Sequence, residues 1–281
     1  MALRDFSKDT RALSLNTATL GHNLEGYGAG WSSEQIIDAC AERGYGGIVY
    51  WRREIKDPVK LGARTRAAGL RVDGLCRTPY LTGAEAGSDD EIKAAIEMAA
   101  SLGAPVLTIV TGGTEPGTTG VLESQKRLAA RLAWTAEHAG AHKVKLALEP
   151  LNPMFGGNRT CVFTVAEGLA LCAQIDHPAV GVAIDVYHVW WDTTLPGALA
   201  KAGSRVFGFH LCDWLEHTTD MLLDRGMMGD GVADLKSLRG FVEATGYDGP
   251  CEVEIFSARH WWQRAPEMVL DTVKDRFQNV C

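Results

Sequence analysis

The 281-residue chain lacks several features that would point to particular classes of protein. It has no excess of basic residues, since the net charge is −7 and the pI near 5.6, so we expect no nucleic-acid partner. It has no uninterrupted apolar run long enough to span a bilayer, and its start, MALRDFSKDT, carries no apolar signal segment. We therefore expect a cytoplasmic protein with no membrane partner.

Cysteine and glycine also fail to form recognisable motifs. The seven cysteines are odd in number and contain no C-x-x-C pair, which predicts reduced core thiols rather than disulfides or a zinc framework. The segment 111–120, TGGTEPGTTG, is rich in glycine but lacks the G-K-[ST] ending and the G-x-G-x-x-G spacing of phosphate-binding turns. We interpret it as a long loop.

What the chain does contain is a regular alternation of short β-rich runs and helical patterns. The runs lie at 12–16, 46–51, 70–76, 105–110, 143–149, 180–185, 205–210 and 251–256. Serine caps open two of the intervening helices, and four helices are expected to end at glycines, namely Gly44, Gly103, Gly140 and Gly246. Eight βα units predict an α/β fold, a single (β/α)8 TIM barrel with eight parallel strands, in which residues 1–281 form one domain.

Four successive predicted strands carry a metal-type ligand at the carboxyl end. These are Glu149 in LALEP, Asp185 in AIDVYH, His210 in GFHLCD and Glu254 in CEVEIF. Barrel closure would bring them together at one side of the mouth, where unpaired burial of three carboxylates would cause strong mutual repulsion. A divalent cation removes that penalty. Three carboxylates and one imidazole suit Mn²⁺, with Mg²⁺ or Co²⁺ as alternatives.

The segments LALEPLNP, AIDVYH, GFHLCDW, RGMMGDG and CEVEIF resemble those of the xylose isomerase-like TIM barrels, the sugar phosphate isomerase/epimerase superfamily. That group includes ketose 3-epimerases, inosose isomerase and inosose dehydratase. The resemblance implies the same four metal ligands, with Glu149 and Glu254 doubling as the acid/base pair. It also implies that His188 and Arg225 bind substrate hydroxyls.

The residues support a mechanism independently of the resemblance. Chelation of a ketone and its neighbouring hydroxyl would stabilise an enediolate, and two carboxylates on opposite faces could remove and return the proton. We predict an isomerase or epimerase of a ketose-like carbohydrate. A lyase or dehydratase acting on a keto-sugar, keto-inositol or 3-keto-glycoside would use the same ligands and remains the alternative.

Two features bear on the substrate and on self-association. Six of the eight tryptophans follow predicted strands, which suits a neutral sugar or a subunit contact equally well. Five arginines in the same loops leave a phosphate site open: Arg52, Arg53, Arg77, Arg159 and Arg259. A dimer or tetramer is compatible with the tryptophan-rich surface.

Two other classes of function compete with these. A phosphodiesterase of the DNA-repair type would favour a multi-metal, histidine-rich site and a basic face, which the acidic chain does not suggest. A barrel that only binds a sugar or a partner protein would have no need of the complete ligand set.

Overall fold

The computed structural model describes residues 3–21 and 28–281. Its centre is a closed barrel of eight parallel strands that neighbour one another in chain order, which confirms the predicted (β/α)8 fold. The barrel strands are β1 (Leu13–Asn16), β2 (Gly47–Trp51), β3 (Arg71–Cys76), β4 (Val106–Ile109), β5 (Lys145–Leu148), β6 (Val180–Asp185), β7 (Val206–Leu211) and β10 (Cys251–Val253). Two short antiparallel strands, β8 (Asp213–Trp214) and β9 (Arg225–Gly226), form a separate ribbon after β7.

Helices cover the outside of the barrel. They are α1 (Ser33–Glu42), α2 (Pro58–Ala67), α3 (Asp89–Leu102), α4 (Leu122–Ala141), α5 (Val165–Ile175), α6 (Val186–Val189), α7 (Leu195–Leu199), α8 (Leu235–Ala244) and α9 (Pro266–Asn279). None of the helices in the described ranges is long and apolar enough to cross a membrane.

Local sequence signals explain most of the helix ends. Reciprocal capping boxes open α1 at Ser32 and α3 at Ser88, where the serine hydroxyl accepts the N–H of the third helical residue. Gly103 closes α3 with a φ of 82°, in the left-handed region that favours glycine. The predicted end of α4 at Gly140 is wrong, because the helix continues to Ala141. A Cβ at Gly140 would lie 2.8 Å from the His177 ring, so this glycine is needed for close packing.

Two other predictions can be compared directly with the structure, which also shows how the two ends of the described chain pack together. Residues 110–121 form the loop between β4 and α4, as expected for TGGTEPGTTG. All seven cysteines are free and buried, which confirms them as core thiols. Phe277 of α9 is fully buried and stacks on Phe6 at a centroid distance of 4.2 Å, joining the end of the described chain to its beginning.

The strand register decides which polar side chains become neighbours. Asp185 of β6 pairs with His210 of β7, and His210 pairs with Glu252 of β10. Since residues two apart along a strand share a face, Glu254 follows Glu252 on the same side. The barrel thus brings acidic residues from separate parts of the chain to one rim.

Candidate metal centre

The four residues expected to bind metal lie together at the carboxyl-terminal rim of the barrel. Asp185 ends β6 and His210 lies near the end of β7, while Glu149 and Glu254 directly follow β5 and β10. One ligand atom from each residue can be chosen so that all four atoms lie within 4.8 Å of one another. All four side chains are buried, so their mutual charge is poorly screened by water.

His210 lies between two carboxylates. Its Nδ1 is 2.8 Å from Glu149 Oε1, and its Nε2 is 3.2 Å from Glu252 Oε2. Although burial acts to lower the pKa of His210, these carboxylates raise it well above the ordinary value. Once a cation displaces one ring proton, the imidazole could bind that cation through one nitrogen while a carboxylate orients it through the other, an arrangement common around metal-bound histidines.

Arg225 bridges the other two members of the cluster. Its Nη1 donates to Asp185 Oδ2 and to Glu254 Oε2, both at 3.0 Å, and the guanidinium is almost completely buried. Burial would raise the pKa of Asp185, but the positive charge of Arg225, helped by the neighbouring imidazoles and by the backbone N–H of Tyr187, outweighs it and lowers that pKa below its ordinary value. Burial raises the pKa of Glu254 to about 8, with Arg225 offsetting part of the effect.

His188 faces the same cluster from the first turn after β6. Burial lowers its pKa to about 4, so the imidazole is neutral at physiological pH. Its Nδ1 accepts the backbone N–H of Asn152 at 3.3 Å. Nε2 lies 3.7 Å from Asp185 Oδ2 and 3.5 Å from Arg225 Nη2.

Two residues of the cluster are absent from the sequence-based expectation. Asn16, at the end of β1, donates from Nδ2 to Glu252 Oε1 at 2.7 Å and to Glu254 Oε1 at 2.9 Å. The sequence carries a signal for Asn16 and for Glu252. Asn16 is a polar residue at the end of a predicted strand, and Glu252 precedes Glu254 by two residues, so both glutamates face the same side of the strand. Cys76, which ends β3, also donates its thiol to Glu254 Oε1 at 3.7 Å.

Asp213 supports the site indirectly. Its Oδ2 accepts the backbone N–H groups of Gly229 and Gly231, both at 2.9 Å, and its Oδ1 accepts that of Ala233 at 3.0 Å. The carboxylate therefore fixes the loop after β9, the strand that carries Arg225.

The donor set fits a divalent cation. Three carboxylates and an imidazole within a few ångströms of one another match the preferences of Mn²⁺, Mg²⁺, Co²⁺ and, less closely, Zn²⁺. The four buried carboxylates of the cluster outnumber its two cationic groups, Arg225 and His210, and a dication would compensate the excess. These carboxylates are Glu149, Asp185, Glu252 and Glu254.

A small cavity of about 50 Å³ opens onto the cluster. Glu149, Glu254, His188 and Arg225 all line it, together with apolar residues such as Phe256. A reacting group in this cavity would therefore lie close to the cluster and would be partly shielded from water.

The tryptophans have mostly structural positions. A larger cavity lies beside this one. Of the six tryptophans that follow predicted strands, Trp51 lines both cavities, and the other five line neither of them in the described part of the chain. Trp190 and Trp214 pack on each other at a centroid distance of 5.6 Å, and Trp262 is buried against Phe256. Apart from Trp51, these tryptophans thus offer little surface on which a sugar ring in either cavity could stack.

Comparison with known proteins identifies the family. A family model described as the xylose isomerase-like TIM barrel matches residues 37–272. The chain belongs to this family. The identification confirms the resemblance noted in the sequence.

Several solved structures are similar to that of this chain. Protein SMc04130 of Sinorhizobium meliloti 1021 has a TM-score of 0.89 and 39% identity, over 97% of this chain and 99% of that one. The IolI protein, solved with a bound zinc atom, has a TM-score of 0.80 and 19% identity, over 95% and 97% of the two chains. D-allulose 3-epimerase from a Methylomonas species has a TM-score of 0.71 and 19% identity over the whole of both chains. At 19% identity, the last two show a common fold alone.

A curated relative adds a different activity. The 3-dehydroshikimate dehydratase of Pseudomonas putida is 29% identical over 147 residues, which amount to 48% of this chain. The match spans only 21% of the length of that dehydratase. Proteins similar to this chain thus include an epimerase and a dehydratase.

Proposed function

We propose that this chain is a divalent-metal-dependent isomerase or epimerase that acts on a ketose-like carbohydrate through an enediolate. The observation that carries the proposal is the buried cluster of Glu149, Asp185, His210 and Glu254, whose ligand atoms lie within 4.8 Å of one another. These four side chains would hold the cation. When bound, the cation would polarise a carbonyl oxygen and help to stabilise the negative charge of an enediolate.

Glu149 and Glu254 are the proposed acid/base pair. They follow β5 and β10, and both line the same small cavity. We infer that a substrate carbon binds between these two carboxylates, so that one glutamate removes the proton and the other returns it. Return to the opposite face gives epimerisation, and return to the neighbouring carbon gives isomerisation.

His188 and Arg225 are the proposed substrate-binding residues. Neutral His188 lines the cavity, so its imidazole can hydrogen-bond a substrate hydroxyl without adding charge to the site. Arg225 uses Nη1 for Asp185 and Glu254, and its buried Nε has no hydrogen-bond partner among the described residues. A substrate hydroxyl could satisfy that donor, since leaving it unpaired in a buried site is costly.

A metal-dependent dehydratase or lyase is the second candidate. The observation that favours it is the similarity to 3-dehydroshikimate dehydratase over about half of this chain. The same proton abstraction, followed by loss of a β-hydroxyl instead of proton return, would give elimination. The oxygen-rich donor set favours Mn²⁺, with Mg²⁺ or Co²⁺ as alternatives, whereas the zinc of the IolI structure belongs to that protein.

Proton exchange in D₂O tests the proposal. Metal-loaded protein is incubated with ketoses, inososes and 3-keto-glycosides and followed by NMR. Deuterium at one carbon with inversion of configuration indicates an epimerase. Movement of the carbonyl to the neighbouring carbon indicates an isomerase, and release of an alcohol or of water indicates a lyase. We expect Glu149→Gln and Glu254→Gln each to abolish deuterium uptake.

The matched control is Glu216→Gln, which changes an exposed glutamate outside the cluster and should leave exchange intact. Near-normal exchange in either cluster variant would remove that residue from the proton-transfer role. Full exchange after exhaustive chelation would overturn the requirement for metal.

A further inference from the structure

A larger cavity, of about 480 Å³, lies beside the candidate metal centre. Trp51, Cys76, Arg77 and Arg159 line both this cavity and the small one at the cluster. The two spaces therefore adjoin, and a substrate that reacts at the cluster could extend into the larger space. We call this larger space the arginine cavity.

Four arginines from three parts of the chain line the arginine cavity. Arg52 and Arg53 follow β2, Arg77 follows β3, and Arg159 lies in the loop before α5. This concentration of positive charge is unusual for a chain whose net charge is −7. Because a concave site with one sign of charge attracts ligands of the other sign, the local field favours an anion.

Among the described residues, acidic side chains offset only part of this positive charge. Within residues 3–21 and 28–281, none of the ion pairs closer than 4.0 Å involves these four guanidinium groups. Two glutamates line the cavity, so its formal charge is still positive. One of them, Glu91, uses its Oε2 to accept the N–H and hydroxyl of Ser88 in the cap of α3.

Two of the arginines are held in place by contacts that use only some of their N–H donors. Arg52 donates through Nε to the carbonyl of Arg77 at 2.9 Å, and its terminal nitrogens have no partner among the described residues. Arg77 lies over the ring of Tyr80 at 4.1 Å and donates through Nη1 to the carbonyl of Thr78 at 3.1 Å. Burial, followed by the charges of Arg53 and Arg77, lowers the pKa of Arg52, as expected for a guanidinium among like charges.

We propose that the arginine cavity binds an oxyanion, either a carboxylate or a phosphate monoester, carried by the substrate of the adjacent metal centre. The assignment of the oxyanion to a substrate rests on the proposed function. It makes the substrate an anionic ketone, such as a keto acid or a phosphorylated ketose, rather than a neutral sugar. Planar guanidinium groups are well suited to such oxygens, since they can donate two parallel hydrogen bonds.

Binding of small anions to the metal-free protein tests the proposal without any need for catalysis. The probes are inorganic phosphate and malonate, and their dissociation constants are measured by NMR titration of metal-free protein. The variants are Arg52→Gln and Arg77→Gln. The control is Arg264→Gln, which removes the same charge from an exposed position outside the cavity. Circular dichroism and thermal melting confirm that each variant is folded.

We expect each cavity variant to weaken anion binding by about ten- to a hundredfold, as for the loss of a charge-assisted hydrogen bond, and the control by less than about twofold. Binding of phosphate alone identifies a phosphorylated substrate, and binding of malonate alone a keto acid. Absence of binding by both anions, or equal weakening in all three variants, would overturn the proposal.

The test separates this inference from the proposed function. Deuterium exchange into neutral ketoses with no anion binding would refute the inference and leave the function standing. Anion binding that depends on Arg52 and Arg77, in a protein that binds no divalent metal, would refute the function and leave the cavity as an oxyanion site.

Discussion

Replacing Arg225 with methionine removes the guanidinium that bridges Asp185 and Glu254 while keeping a long side chain. Both acceptor oxygens lie 3.0 Å from Nη1, and all three side chains are buried. Removing one partner of a buried ion pair usually costs about 3–5 kcal/mol, because the remaining charge stays uncompensated. We expect the lower end, since Glu254 already has a pKa of about 8 and can become neutral by binding a proton.

That loss translates into a measurable change in thermal stability. For a chain of this size, about 3 kcal/mol corresponds to a fall of roughly 6–12 °C in the melting temperature of the metal-free protein. In the variant, the folded-state pKa of Glu254 rises further above its unfolded value, so the folded state binds a proton that the unfolded state releases. The deficit relative to the wild type should therefore grow as the pH rises through 8 and shrink as it falls.

A divalent cation should restore much of the lost stability. A ligand that binds only the folded state at a hundred times its dissociation constant adds about 2.7 kcal/mol. Because the variant has one positive charge fewer beside the ligands, Mn²⁺ should raise its melting temperature by more than it raises that of the wild type. Differential scanning calorimetry of Chelex-treated protein, with and without Mn²⁺, measures both changes.

Arg239→Met provides the matched control. Arg239 is equally buried and donates to Glu243 at 2.7 Å, but it lies outside the cluster. It should lose a similar amount of stability and show no enhanced response to Mn²⁺. A stable Arg225→Met protein, or one that responds to Mn²⁺ no more strongly than Arg239→Met, would refute the assignment of the cluster as a cation site.

Three further results are expected. Glu252→Gln removes a carboxylate that orients His210, so it should reduce the affinity for Mn²⁺ about ten- to a hundredfold, as measured by isothermal titration calorimetry. An unchanged affinity would contradict the role given to Glu252. The buried thiols should not react with Ellman's reagent at pH 8 until the protein is unfolded, because burial raises the pKa of a thiol such as that of Cys40 to about 12. Rapid labelling of the folded protein would contradict their burial. Phe277→Ala should lower the free energy of unfolding, measured with urea, by about 3–5 kcal/mol, since the ring is fully buried against Phe6. A loss below about 1 kcal/mol would show that the contact contributes little to stability.

The barrel and its rim could be predicted because they follow from local patterns. Eight β-rich runs separated by capped helices leave few alternatives to parallel strands with helical crossovers, and the carboxyl ends of such strands must meet. That is why Glu149, Asp185, His210 and Glu254 could be expected at one place from sequence alone. Their roles as ligands, and the assignment of residues 1–281 to one domain, remain predictions.

The partners of these residues depend on details that periodicity does not carry. Gly140 is predicted to end a helix, yet α4 continues to Ala141, and this glycine instead leaves room for the ring of His177. Similarly, nothing local indicates that Arg225 would reach between two carboxylates contributed by β6 and the segment after β10. Such contacts appear only when the barrel closes.

The arrangement of charge gives the two neighbouring cavities different chemical roles. At the cluster, acidic side chains outnumber Arg225, which favours a cation, whereas the arginine cavity carries an excess of positive charge, which favours an anion. A substrate that spans both would be oriented by its two ends, with the reacting carbonyl near Glu149 and Glu254 and the oxyanion near Arg52 and Arg77. Such two-point binding would restrict the orientation of the carbon between the glutamates, and orientation of this kind contributes substantially to catalysis.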